Sequence, residues 1–307
     1  MPEIPTRREV LVKVLRKLAS PADLKRFLKF KLITGDEYPY FDFTDNFHRI
    51  SALLGMFGGS KLDIDTPVFI AGLRRSGTTV FYRVMNANSQ LLLFNERFPG
   101  DRMAGRGVAS SRNIYSIDDP DKFYRIAVRY LSPRVRGQYR RWGAKLALEL
   151  AHPDPGSVSI AGMRRILAAF PGSRVIGITR DPRDFVLSAL KRGGHDIQWW
   201  IDEYLAMMDL YMKLGETHCG LFMTIRYEDL VQHSEETLSK CCEFADLPYD
   251  RNMLEPSQWS IKGPREYASS GIVANIEKWR EGNDPEIVAR VMEACFPAAQ
   301  VFGYVEE

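Results

Sequence analysis

The sequence predicts an α/β protein: a parallel sheet flanked by helices, preceded by an N-terminal helical extension. Three observations carry that prediction. Short apolar runs recur at Pro67–Ala71, Leu91–Phe94, Arg174–Thr179 and Leu221–Arg226. Each is short enough for a buried strand, and stretches long enough for helices separate them. The first run leads directly into Gly72-Leu73-Arg74-Arg75-Ser76-Gly77-Thr78-Thr79, followed by Val80, Val84 and Met85 at helical spacing. Strands alternating with helices pack as a parallel sheet covered on both faces.

Composition sets the outer bounds. The chain has 307 residues, 45% of them hydrophobic, which is enough for one large core, and we expect a single domain over 1–307. Lys and Arg number 42 against 39 Asp and Glu, so the net charge of +3 does not suggest a nucleic-acid partner. No uncharged apolar run reaches the roughly 20 residues of a membrane helix. The 4 cysteines include no C-x-x-C pair and do not make a disulfide framework. No apolar signal core and no N-x-Ser/Thr sequon is present, so the cytoplasm is the expected compartment.

Two regions stand outside the strand–helix alternation. In the first sixty residues, Val10, Leu11, Val14, Leu15 and Leu18 fall on one helical face, with Lys13, Arg16 and Lys17 elsewhere. A helix docked by its apolar face is favoured there over a membrane-surface helix. The stretch 97–141 holds ten Arg against four acidic residues. It reads equally as a basic lid over an acceptor or as a solvated insert whose charges pair elsewhere.

The Gly72–Thr79 segment is the most informative. Gly-x-x-x-x-Gly between a strand and a helix is the frame of a P-loop-type phosphate site, where backbone N–H groups and a helix N-terminus hold an anion. The nucleoside-triphosphate form continues with Lys. Here Thr78 follows Gly77, and Arg74 and Arg75 supply the positive charge. The strand at Arg174–Thr179 ends in Arg180, where a metal-dependent site usually has a carboxylate. The site therefore reads as one for an anionic nucleotide without metal.

Three motifs in order complete the pattern. They are Gly72–Thr79, then Ile178-Thr179-Arg180-Asp181-Pro182-Arg183-Asp184 with Ser188 eight residues after Arg180, then Arg226-Tyr227-Glu228-Asp229-Leu230. Together they resemble the sulfotransferases that use 3′-phosphoadenosine 5′-phosphosulfate (PAPS). A looser fourth match is Glu277-Lys278-Trp279-Arg280. The pattern is closer to the bacterial and tyrosylprotein branch than to the cytosolic aryl enzymes. Those carry a Lys-Thr-His segment, and the stretch here is Gly143-Ala144-Lys145-Leu146, with the Lys but no His.

The resemblance implies a set of roles. Arg74, Arg75, Ser76, Gly77, Thr78 and Thr79 would hold the 5′-phosphosulfate, Arg180 and Ser188 the 3′-phosphate, and Tyr227 the adenine. Lys278 and Arg280 would close over the nucleotide. Arg75 and Lys145 would stabilise charge on the leaving phosphate. Glu96, 21 residues after Arg75, would be the general base, with His195 in reserve. The co-substrate would be PAPS, the product adenosine 3′,5′-bisphosphate (PAP), and no metal would be needed. The acceptor would be a small molecule or saccharide bearing a hydroxyl or amine; Trp199, Trp200 and Tyr204 are either its pocket or core. The competing readings are a P-loop kinase and a non-catalytic nucleotide or polyanion binder.

Overall fold

The computed structural model of the chain describes residues 63, 65–94, 139–151, 158–255, 272, 275–281 and 284–305. The first strand, β1 (Val68–Leu73), is buried along its whole length. It runs into helix α1 (Thr78–Asn86). Strand β2 (Leu91–Phe94) follows, then β3 (Arg141–Leu148) and helix α2 (Ile160–Ala169). Strand β4 (Arg174–Thr179) leads into α3 (Pro182–Leu190), the long α4 (Ile197–Thr217) and β5 (Phe222–Arg226). Helices α5 (Tyr227–Gln232), α6 (Ser234–Phe244) and α7 (Pro285–Val301) complete the described elements.

The strands form one sheet in the order β2-β3-β1-β4-β5, and every pairing is parallel. Side chains alternate across the sheet, as a two-residue period requires. Phe69, Ala71 and Leu73 of β1 join Trp142, Ala144 and Leu146 of β3 in a core with residues of α2, α3, α4 and α7. Val68 and Ile70 face the other way, with Ile176 and Ile178 of β4, against residues of α1, α5 and α6. Burial on both faces explains why the strands read as nearly continuous apolar runs.

Local sequence sets the helix starts. Asp181, Asp196 and Asp284 each cap a helix through a side-chain oxygen that accepts a backbone N–H, and Pro182 and Pro285 occupy first-turn positions. Helix α1 is different: Gly77 stands at its N-cap with φ 91° and offers no side-chain cap. Its first turn leaves donors that a ligand can use.

Strand β3 was not among the four expected strands. Its segment Arg-Trp-Gly-Ala-Lys-Leu-Ala-Leu breaks the apolar run with Gly143 and Lys145. Both are explained by packing: a Cβ at Gly143 would come within 1.6 Å of the Val68 carbonyl oxygen, and Lys145 is buried with its ammonium bonded to Thr79. The basic stretch 97–141 lies mostly outside the described residues. Its last two arginines, Arg140 and Arg141, pair with acids elsewhere: Arg140 with Asp246, and Arg141 with Asp63 and Asp246. The helical extension over residues 1–60 lies outside the described residues.

Candidate active site at the C-terminal end of the sheet

Strand β1 lies in the middle of the sheet, with chain connections leaving toward β3 on one side and β4 on the other. Ligands of open α/β sheets bind where connections diverge in this way, beyond the carboxyl ends of the strands. The Gly72–Thr79 loop after β1 and Arg180 after β4 lie at those ends.

The loop after β1 is tightly constrained. Arg75 takes φ 81° and Gly77 φ 91°, and the Ser76 N–H bonds back to the Leu73 carbonyl at 3.2 Å. A Cβ on Gly77 would meet the Tyr227 ring at 2.3 Å, so glycine is required there by both conformation and space. Ser76 is fully buried, and its Oγ has no hydrogen-bond partner among the described residues. A turn built on left-handed residues, ahead of an uncapped helix N-terminus, is a fitting cradle for an anion.

Three further elements bring side chains to this loop. From β3, Lys145 Nζ donates to Thr79 Oγ1 at 3.2 Å. From α3, Ser188 Oγ accepts from Arg75 Nε and Nη2 at 3.2 and 3.1 Å. From the end of β4, Arg180 Nη1 donates to the Arg75 carbonyl at 3.2 Å, and its guanidinium lies 4.9 Å from the Tyr227 ring centre. Thus Arg75, Thr79, Lys145, Arg180, Ser188 and Tyr227 meet at one place. The Tyr227 ring packs between the loop and Arg180 and is 5% exposed, and burial raises its hydroxyl above the ordinary value.

The Arg180 turn is fixed from several directions. Tyr204, a core residue, donates from its hydroxyl to the Arg180 carbonyl at 3.0 Å. Glu228 accepts the Asp181 N–H at 3.0 Å. Arg180 Nη2 also donates to the Asn275 carbonyl. Asp184, four residues on, lies 3.7 Å from Arg180 and accepts the Trp279 N–H at 2.9 Å. Burial raises the Asp184 carboxyl above its ordinary value, and Arg180 offsets only part of that rise. Asp184 was not among the expected site residues, although it stands four residues after Arg180, in the first turn of α3.

The C-terminal expected residues carry local ion pairs. Lys278 pairs with Glu281 at 2.7 Å, and Arg280 with Glu277 at 3.3 Å. Between them, Trp279 is stacked by Arg183 and Arg280, at 3.9 and 4.3 Å from its ring centre. Asn275 and Trp279 contact the Arg180 region, through the Asn275 carbonyl and the Trp279 N–H. Glu96, two residues beyond β2, lies outside the described residues.

Arg74 turns away from its neighbour. Its Nη1 meets Glu149 Oε1 at 3.0 Å, just past the end of β3. Both line a cleft of about 460 Å³ together with Arg75, Thr79, His195 and Trp199. Of the three aromatic residues weighed as pocket or core, Tyr204 is core, Trp200 is mostly buried, and Trp199 is partly exposed at the cleft.

This geometry agrees with comparison to known proteins. The model of the sulfotransferase family matches residues 67–251. The chain belongs to the sulfotransferase family. It is 24% identical over 260 residues to protein-tyrosine sulfotransferase A of Caenorhabditis elegans, covering 77% of this chain and 67% of that one. It is 23% identical over 266 residues to the protein-tyrosine sulfotransferase of Drosophila melanogaster, covering 77% and 51%. An uncharacterised protein of Aquifex aeolicus is 24% identical over 239 residues, 70% of this chain and 30% of that protein. This sulfotransferase chain therefore spans between 30% and 67% of the length of those relatives. Its fold is that of the sulfotransferase domain of the Synechococcus PCC 7002 olefin synthase, with TM-score 0.56, 16% identity, and 81% and 99% coverage. A sulfotransferase domain from the Curacin biosynthetic pathway gives TM-score 0.50 at 17% identity, with 74% and 96% coverage. Among the described residues, no helix is long and apolar enough to cross a membrane.

Proposed function

We propose that this protein transfers a sulfuryl group from PAPS to an acceptor hydroxyl or amine. The observation that carries the reading is the convergence of Arg75, Thr79, Lys145, Ser188 and Arg180 on one glycine-bounded loop. The cradle fits a phosphosulfate: buried Ser76 Oγ lacks a partner among the described residues, and Gly77 leaves no room for a side chain.

PAPS supplies an activated sulfuryl group, and transfer breaks its S–O bond to phosphate while an S–O bond to a hydroxyl acceptor, or an S–N bond to an amine, forms. The loop N–H groups with Thr78 and Thr79 hold the donor oxygens. Arg75 and Lys145 stabilise the charge that collects on the departing phosphate, fixed in place before reaction and therefore without reorganisation. Arg180 and Ser188 bind the 3′-phosphate, with Tyr227 beside the nucleotide and Lys278 and Arg280 closing the C-terminal side. Glu96 takes the acceptor proton. Because a transferring sulfuryl group bears less negative charge than a γ-phosphoryl group, these cations supply the neutralisation without a metal ion. The acceptor is a small molecule or a saccharide, and the names of the worm and fly relatives add a tyrosine side chain to the candidates. A reducing compartment such as the cytoplasm suits the free thiols Cys219, Cys241, Cys242 and Cys295.

Calorimetric titration with PAP in the absence of metal, beside ATP with Mg²⁺, tests the donor. PAP binding alone is the expected result. Preference for Mg·ATP overturns the reading in favour of a kinase. Binding of PAP with no transfer to any acceptor from labelled PAPS favours a non-catalytic binder.

A further inference from the structure

The two adjacent loop arginines point to different tasks. Arg75 reaches Ser188, on the side expected for the nucleotide. Arg74 reaches Glu149 instead, in the cleft beyond the end of β3. We propose that Arg74, aimed by Glu149, reads the acceptor rather than the donor, and that the acceptor is an aromatic hydroxyl compound carrying a carboxylate or similar anion. This rests on the sulfotransferase reading of the adjoining loop.

The charges of the cleft support an anionic acceptor. Its lining includes Arg74, Arg75 and Arg192, and Glu149 is the one carboxylate there among the described residues. Glu149 is not the recognition group. Its side chain is only 7% exposed and already faces a guanidinium at 3.0 Å. A cationic acceptor would also face Arg74 and Arg192. Arg74 is suited to the task, because 48% of its side chain is exposed while one nitrogen is anchored. A guanidinium held at one edge presents its remaining N–H donors in a fixed fork, the geometry that matches a carboxylate. Glu149 is thus a positioning residue.

The aromatic half of the inference comes from the α3–α4 turn. His195 lies flat on Trp199, with ring centres 3.8 Å apart and planes 9° from parallel, and Trp199 meets Trp200 edge-on at 4.5 Å. These rings share the cleft with Arg74 and Thr79. A planar acceptor stacks or packs edge-on against such a wall, with its hydroxyl toward the loop and its anion toward Arg74.

The test uses the full chain saturated with PAP, titrated with 3-(4-hydroxyphenyl)propionate, its methyl ester, and tyramine. Binding is read directly, so turnover is not required. We expect the acid to bind at least about tenfold more tightly than the ester or the amine. The double variant Arg74→Gln/Glu149→Gln should bring that preference below about threefold with PAP affinity unchanged. Replacing both partners avoids leaving the buried Glu149 carboxylate without the charge of Arg74. Arg74→Lys keeps Glu149 neutralised while removing the fork, and should lower the preference to about threefold. Equal binding of acid and ester overturns the proposal, as does a preference that survives in both variants. A fall in PAP affinity in the double variant returns Arg74 to the donor site. Binding of PAP with no binding of any phenol overturns the acceptor class and leaves the donor reading intact. Failure of the parent protein to bind PAP removes both.

Discussion

Two buried arginines at opposite ends of the sheet are treated differently. Arg141 opens β3 at the N-terminal end, and its side chain is 7% exposed. It meets carboxylates of Asp63 and Asp246 at 2.5 and 2.6 Å and also bonds the Thr66 hydroxyl. Arg180 closes β4 at the C-terminal end, and its side chain is 6% exposed. Its carboxylate partner among the described residues is Asp184 at 3.7 Å, and its closer contacts are the neutral carbonyls of Arg75 and Asn275. The acids record the same contrast. The hydrogen bond from Arg141 holds Asp246 below its ordinary value. Burial pushes Asp63 up, but its bond from Thr66 and the nearby Arg141 more than offset it. Burial leaves Asp184 raised despite Arg180. A buried cation whose charge is only partly answered within the protein is poised for an external anion. A cation answered twice is a structural clamp.

The largest expected effect is kinetic. Glu96→Gln should lower turnover by about 10²–10⁴ while PAP affinity and melting temperature stay at wild-type values. Near-normal turnover would move the base role to His195, which lines the cleft. Next comes Arg180→Gln, which should weaken PAP binding by about 2–5 kcal/mol in a calorimetric titration. Arg141→Gln should leave PAP affinity unchanged and cost about 1–3 kcal/mol of stability, discounted because Asp63 and Asp246 are partly exposed. If Arg141→Gln weakens PAP binding as much as Arg180→Gln does, the division into clamp and site is wrong.

The smallest effect is a pH dependence whose sign differs between the two ends. Asp63 and Asp246 have lowered values when folded, so their contribution is complete above the ordinary carboxylate value of 3.8. It is lost as the pH falls through the lowered values. Asp184 has a raised value, so the folded state takes up its proton first, and its ionisation costs stability as the pH rises through that value. Thermal melts at descending pH should show an acid-side loss that Arg141→Gln flattens and Asp184→Asn leaves in place. An acid-side slope unaffected by Arg141→Gln would break the comparison.

Much of the site was legible because its parts are local. The loop at Gly72–Thr79, the capped start of α3 after Arg180, and the Ser188 position two turns on are encoded by strand, turn and helix signals within short windows. The observed strands fall within two residues of those expected at Pro67–Ala71, Leu91–Phe94, Arg174–Thr179 and Leu221–Arg226. Strand β3 escaped because Lys145 and Gly143 look unlike buried strand residues until their partners are known. Asp184 and Trp279 escaped for a similar reason, since a backbone N–H from a distant segment gives Asp184 its partner.

By itself, then, the sequence determined the alternation of strands and helices, the phosphate-binding loop and the identity of its charged residues, because propensity, capping and spacing act over a few residues. Only the tertiary structure decided which strands neighbour one another. It placed Ser188 against Arg75, 113 positions away, and Lys145 against Thr79, 66 away, and it sent Arg74 to Glu149 while Arg75 went elsewhere. Two adjacent arginines are chemically identical in sequence. They acquire different partners because the parallel sheet places β3 on one side of β1 and β4 on the other.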